Sequence, residues 1–180
     1  MFDTALGPVG VEWGDAGITE VLMPGRSGLA DDGRPLPEAI SKAVDGIVAL
    51  LAGEQRDLDD IALDDDGVDE FRRRVYAATR AVGPGETATY GEIARAIGDS
   101  GAARAVGAAL GSNPFPIIVP CHRVLAADGA LHGFSAPGGI ATKRRMLEIE
   151  CAPGFTQTSL LASGGGRRRP SGPRTRRRRG

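Results

Sequence analysis

"TATYGEIARAIGDSGAARAVGAALGSNP", Thr87 to Pro114, decides how the second half of this chain folds. Apolar residues recur at helical spacing over two short runs, about Tyr90 to Ile97 and Gly101 to Leu110, separated by the turn-forming Gly98-Asp99-Ser100. Two helices joined by so tight a turn read as a helix-turn-helix. The second helix carries Ala102, Ala103, Ala105, Ala108 and Ala109 with Arg104 as its single charge, so it can approach another surface closely. Packing against a neighbouring helix accounts for the alanines as well as a DNA groove does, and the flanking residues must discriminate.

Downstream lies "NPFPIIVPCHRV", Asn113 to Val124, where β-branched residues pinned by prolines lead into Cys121-His122. Ile117 to Val119 reads as a buried extended segment, with Pro120 setting the backbone just before the thiol. Cysteine reacts as thiolate and needs an adjacent base or cation, a role open to His122. Adjacent residues of an extended chain point to opposite sides, so the pair works only if the backbone turns or a water relays the proton. A buried thiol beside a structural imidazole is the competing reading. A histidine base also needs a carboxylate partner, and the helical "ATKRRMLEIE" offers Glu148 and Glu150.

Upstream, "VDEFRRRVYAATRAV" is a helix with Val68, Phe71, Val75, Ala78 and Val82 on one face, ending at "GPGE". The acidic "DLDDIALDDDG" before it reads as a short strand or linker and a domain boundary. Pro37 opens a further helix with Ile40, Ala43, Val44, Ile47 and Leu51 at helical spacing and Gly53 as its end. Residues 24 to 36 are a loop. Phe2 to Met23 reads as an antiparallel hairpin, with Val9, Val11 and Trp13 on one face and a turn at Asp15-Ala16-Gly17.

The 180 residues, 41% of them hydrophobic, suit a globular protein. No window approaches a membrane span and no leader pattern opens the chain, so the cytoplasm is expected, with no membrane partner. Cys121 and Cys151 are the only cysteines, without the spacing of a disulfide framework or zinc site, so both are expected as reduced thiols and no metal is expected. All 23 acidic residues lie between Asp3 and Glu150, whereas eight of the 22 basic ones follow Ala162. The basic tail, with nothing apolar to bury, reads as disordered. Its arginines either contact phosphates or merely solubilise.

Taken together, "PCHRV" preceded by "NPFPIIV", the upstream "GETATYGEIA" and "ARAVGAALGSNP", and the downstream "KRRMLEIE" resemble the O6-alkylguanine-DNA alkyltransferases over roughly Val68 to Glu150. The resemblance implies an α+β fold. A small antiparallel sheet with helices, related to ribonuclease H, would occupy 1–67; a mainly helical, winged-helix-like catalytic domain with the helix-turn-helix would occupy 68–161; and the tail would span 162–180. It implies a monomer without cofactor that binds double-stranded DNA through the minor groove. A damaged nucleotide is flipped out and the alkyl group of O6-alkylguanine moves to the protein once per molecule, with O4-alkylthymine as a second candidate substrate.

By the same resemblance Cys121 is the acceptor, His122 deprotonates it through a water, and Glu150 holds His122. Arg104 enters the stack in place of the extruded base, beside the small Ala102 and Ala103. Tyr90 crowds the adjacent phosphate and donates to the guanine ring. Asn113 is a hinge, Val124 a backbone acceptor for the guanine amino group and Ser135 a neighbour of O6, while Arg123 forms a structural ion pair. "HGFSAPGGIATK" departs from the pattern: Phe134 replaces a frequent tyrosine, and Ala136-Pro137 are additional, which bears on the alkyl groups accepted. The zinc ligands of some relatives are absent, and no transcription-activating domain fits this length. A non-catalytic lesion binder would lack Cys121, and a thiol hydrolase or redox protein would not explain Arg104, Tyr90 and the helix-turn-helix.

Overall fold

The computed structural model describes residues 1–26, 33, 35–131 and 133–155. The basic tail expected over 162–180, and part of the loop expected over 24–36, lie outside them. Three strands open the chain: β1 (Phe2–Thr4), β2 (Gly7–Trp13) and β3 (Ile18–Leu22), antiparallel in the order β1-β2-β3. The expected two-stranded hairpin is therefore a three-stranded meander. Its extra turn forms because Gly7 adopts a φ of +106°, while the Thr4 hydroxyl donates to the Gly7 carbonyl and accepts from the Leu6 amide. The second turn closes where expected, with the Gly14 amide donating to the Gly17 carbonyl at 2.9 Å.

Helix α1 (Glu38–Leu51) follows Pro37 and buries Ile40, Ala43, Ile47, Leu50 and Leu51. It stops at Gly53, whose left-handed φ of +96° lets the Glu54 amide reach back to the Ala49 carbonyl. Helix α2 (Glu70–Arg80) is capped by Asp69, which accepts from the Arg72 amide. The acidic segment between the two is no strand of its own. Ile18 makes a single bridge to Leu63, and the Arg80 guanidinium gathers the carbonyls of Leu58, Asp59 and Ile61 at 2.8, 2.8 and 3.0 Å.

The helix-turn-helix is formed by α3 (Tyr90–Ala96) and α4 (Ala103–Gly111). A reciprocal capping box starts α3: the Thr89 hydroxyl accepts from the Glu92 amide, and the Glu92 carboxylate accepts from the Thr89 amide. Directly before α3, β4 (Ala88–Thr89) pairs in parallel with β5 (Val124–Leu125), which follows the Cys-His segment. Helix α5 (Gly139–Ile149) closes the described fold. Sheet, α1, α2, α3 and α4 share one apolar cluster that runs from Val9, Ile18 and Val21 through Ile47 and Leu50 to Val75, Ile93, Val106 and Phe115. The Val21 amide also donates to the Pro114 carbonyl at 2.9 Å, tying β3 to the segment that leads to Cys121. Among the described residues, no helix is long and apolar enough to cross a membrane.

Candidate active site

Ile117 to Val119 is buried as expected, yet it is not extended. The Val119 amide donates to the Phe115 carbonyl at 2.8 Å, Pro116 and Val119 form an isolated bridge, and Ile117 takes a left-handed φ of +78°. Such a φ is costly for a β-branched residue, and the surrounding structure must enforce it. Asn113 does so from the end of α4. Its side-chain amide donates to the Val119 carbonyl at 3.0 Å and its carbonyl accepts from the Phe115 amide at 2.9 Å, clasping the turn from inside. The chain leaves the turn as a single 3₁₀ turn, Cys121–Arg123. Cys121 and His122 therefore sit on a bend, which removes the opposite-sides objection that an extended chain would have raised.

Behind Cys121 lies a buried charged cluster. His122 is 0%, Glu150 2% and Arg123 4% exposed. His122 Nε2 lies 2.8 Å from Glu150 Oε1, while Arg123 grips both carboxylate oxygens, Nε to Oε2 at 2.8 Å and Nη2 to Oε1 at 3.0 Å. The remaining arm of Arg123 donates to the Val82 carbonyl at 2.6 Å, and the Gly85 amide donates to Glu150 Oε2 at 3.3 Å. Gly85 is obligatory here. Its φ is +76° and a Cβ would stand 2.9 Å from the Glu150 carbonyl. Glu148, the other carboxylate in the same helical segment, faces away and pairs with Arg145 at 3.8 Å.

Burial alone would raise the Glu150 carboxyl, but the hydrogen bonds from His122 and Arg123, with the permanent charge of Arg123, hold it at about 2. An ionised carboxylate only accepts, so His122 carries its proton on Nε2. Burial keeps the imidazole below its usual pKa and hence neutral. Nδ1 is then a bare acceptor, buried and without a protein hydrogen-bond partner among the described residues. Burial also pushes the Cys121 thiol above its usual pKa, opposed by the Asn113 side chain and by the charge of Lys143.

Lys143 went unnoticed in the sequence, although it shares a helical stripe with Met146, Leu147 and Glu150. It is fully buried, donates to the Val124 carbonyl at 2.7 Å and lies 5.9 Å from the centre of the Tyr90 ring. A lysine in the apolar stripe of a helix was the signal that would have found it. Val124 O, expected to accept from a guanine amino group, is thus already engaged and has one lone pair left. The Tyr90 phenol is raised by burial and by the nearby Cys121, so it stays protonated.

A cavity of about 200 Å³ opens beside Cys121 and is lined by Asn113, Phe134 and Ser135 among others, while Tyr90 and Val124 are not part of its lining. Arg104 stands apart on α4, exposed and without an intramolecular partner among the described residues. Ala105 and Ala108 are exposed beside it, Ala102 and Ala103 pack partly on the core, and Ala109 is buried. Helix packing thus explains part of the alanine pattern and leaves an outward face of small residues.

Removing one partner of a buried charge cluster leaves the others uncompensated. Glu150→Ala should cost about 3–5 kcal/mol in a denaturant titration, against about 1 kcal/mol or less for the surface pair lost in Glu148→Ala. In the parent chain the lowered His122 pKa makes its stability contribution complete above the ordinary 6.5 and declining as pH falls below it. The Glu150 contribution is complete above the ordinary 4.5 and is lost as pH falls through about 2, so acid should destabilise in two stages. A Glu150→Ala protein as stable as the parent would remove the cluster from the energetics of folding.

The family model described as "6-O-methylguanine DNA methyltransferase, DNA binding domain" matches residues 70–152. A methylated-DNA–protein-cysteine methyltransferase of Methanothermobacter thermautotrophicus is 41% identical over 143 residues, 79% of this chain and 78% of that protein. Another, of Mycobacterium bovis, is 44% identical over 154 residues, 82% of this chain and 88% of its own. The crystal structure of Mycobacterium tuberculosis OGT in complex with DNA superposes with a TM-score of 0.69 at 42% identity, covering 86% of this chain and 94% of that one. With Cys121, His122 and Glu150 gathered as described, this chain belongs to the methylated-DNA–protein-cysteine methyltransferase family.

Proposed function

We propose that this chain repairs DNA by moving the alkyl group of O6-alkylguanine onto Cys121, once per molecule. The observation that carries this reading is the tautomer enforced on His122: an ionised Glu150 accepts the Nε2–H hydrogen bond, leaving Nδ1 as a bare acceptor on the residue next to a thiol that opens onto a cavity. Nδ1 accepts the Cys121 proton through a bridging water. The thiolate attacks the alkyl carbon, the S–C bond forms as C–O6 breaks, and the electron pair stays with the guanine. Tyr90, held protonated, supplies a proton to the ring, and Lys143 steadies the negative charge that passes between sulfur and base. Glu150 meanwhile stabilises the imidazolium.

The lesion reaches this site only if its nucleotide leaves the duplex. Helix α4 suits a narrow groove because Ala105 and Ala108 add little bulk to its outer face, and Arg104 beside them has no partner among the described residues to give up. Arg104 then fills the stack from which the base has gone, and the Pro114 to Pro120 turn presents Cys121 to the base. The same chemistry fits O4-alkylthymine, whose alkyl carbon is bonded to an equivalent exocyclic oxygen. A non-catalytic lesion binder has no use for the Cys121 thiol that lines the cavity.

Incubation with a duplex carrying labelled O6-methylguanine should place the label on Cys121, and Cys121→Ser should abolish transfer while keeping DNA binding. An adduct found on the exposed Cys151 would overturn the assignment. The single-turnover rate should be level around neutrality, where His122 is neutral, and should fall only as acid protonates Nδ1 below the ordinary imidazole value of 6.5. A rate that drops already between pH 8 and 7 would assign the base elsewhere. Arg104→Ala should slow repair in duplex by about tenfold to a hundredfold, the equivalent of the few kcal/mol that extruding a base costs. Reaction with the free base O6-benzylguanine should change little, and equal losses on both substrates would reassign Arg104 to the fold.

A further inference from the structure

One wall of the cavity beside Cys121 comes from the N-terminal half, which the transfer chemistry does not otherwise use. Glu20, Val21, Met23 and Arg26, on β3 and in the turn after it, line the same space as Cys121. Two contacts fix this wall against the second half. The Val21 amide donates to the Pro114 carbonyl at 2.9 Å. Gly25, at a φ of +91°, approaches Pro137 so closely that a Cβ on it would lie 3.3 Å from the Pro137 Cβ.

Each side of that approach is anchored independently. The Arg26 amide closes its turn on the Met23 carbonyl at 3.2 Å, and the Arg26 guanidinium pairs with Glu20 at 2.7 Å. Across from them the Pro137 carbonyl accepts the Thr142 hydroxyl at 2.7 Å, which pins the loop to the first turn of α5. The Gly25–Pro137 approach brings the two sides together beside a cavity that Arg26 and Pro137 both line.

We propose that the Pro24-Gly25-Arg26 turn and Pro137 form a clamp that sets the upper size of the alkyl group this chain accepts, the accepted class being primary alkyl and arylmethyl groups larger than methyl. The proposal rests on the alkyl-transfer reading above. A methyl group, close to the roughly 30 Å³ of a water molecule, reaches little of a lining that includes Val21, Met23, Leu110, Pro114, Pro116 and Pro137. The bond changes are the same for every member of the class. Sulfur bonds to the carbon attached to O6, O6 keeps the electron pair, and a ring nitrogen takes the proton. Only the atoms beyond that first carbon meet the wall, so the wall discriminates by size and leaves the chemistry alone.

The test compares single-turnover rate constants on duplexes carrying O6-methylguanine and O6-benzylguanine, with the adduct on Cys121 weighed by mass spectrometry. The parent chain should transfer both groups. Arg26→Ala and Pro137→Ala, which widen the clamp from opposite sides, should each raise the benzyl-to-methyl ratio by about tenfold, the low end of what one methylene's worth of space confers in an apolar pocket. Arg26→Trp, which adds bulk at an exposed lip, should lower it by a similar factor. A ratio is insensitive to partial misfolding, which scales both rates together. Methyl transfer with the same ratio in the parent and all three variants overturns the clamp while leaving the transfer reading intact. Absence of any methyl transfer by the parent chain overturns both.

Discussion

Glu150 is an ionised carboxylate almost wholly removed from water, and such a group is tolerable only when donors surround it. Four reach it, from His122, two arms of Arg123 and the Gly85 amide. They come from the 3₁₀ turn and from the loop after α2, while Glu150 itself is the residue at which α5 ends. Arg123 extends the network to the Val82 carbonyl, so the ends of two helices and the Cys-His bend are drawn to one point. The cluster is a folding constraint whatever chemistry it serves. Its cost is that none of its members can be changed without stranding the rest.

That constraint explains the geometry around Cys121. Because His122 and Arg123 must both turn inward toward Glu150, the backbone cannot stay extended after Pro120, and it bends into the 3₁₀ turn that leaves Cys121 facing the cavity. The strained φ of Ile117 is the matching adjustment upstream, held by both ends of the Asn113 side chain. Asn113, which clasps the turn leading to Cys121, lies just past the Ser112 cap of α4, so that turn is built directly onto the end of the helix.

Electrostatics divide the site into two regions with different tasks. The Glu150 side holds negative charge fixed and orients His122, whose neutrality comes from burial against the pull of that carboxylate. On the other side, the buried cation of Lys143 lies near Tyr90 and influences Cys121, so negative charge can appear on sulfur without the thiol being ionised at rest. Burial raises the thiol and lowers the ammonium, which brings those two proton affinities together, whereas it lowers the imidazole away from the thiol, so both Cys121 and His122 rest uncharged.

Cys121, His122, Glu148 and Glu150 stood out in the chain as residue types able to act together, the choice of Glu150 and the attention to Arg104 and Asn113 came from the family resemblance, and the fold places Glu150, not Glu148, against His122. Helices α1 to α4 were legible because their apolar stripes, the ending at Gly53 and the Gly98-Asp99-Ser100 turn are local signals. The bend at Ile117 to Arg123 was not. Proline and β-branched residues favour an extended chain locally, and only a carboxylate nearly thirty residues later overrides that preference. Lys143 was hidden because its polarity suggested solvent, and its burial depends on the Val124 carbonyl from a distant segment. The contribution of β3 to the cavity wall was equally out of reach, because it arises where Gly25 meets Pro137, more than a hundred positions apart. Local propensity chooses helices, turns and reactive side chains, whereas the choice among local conformations at the site belongs to the long-range burial of one charge.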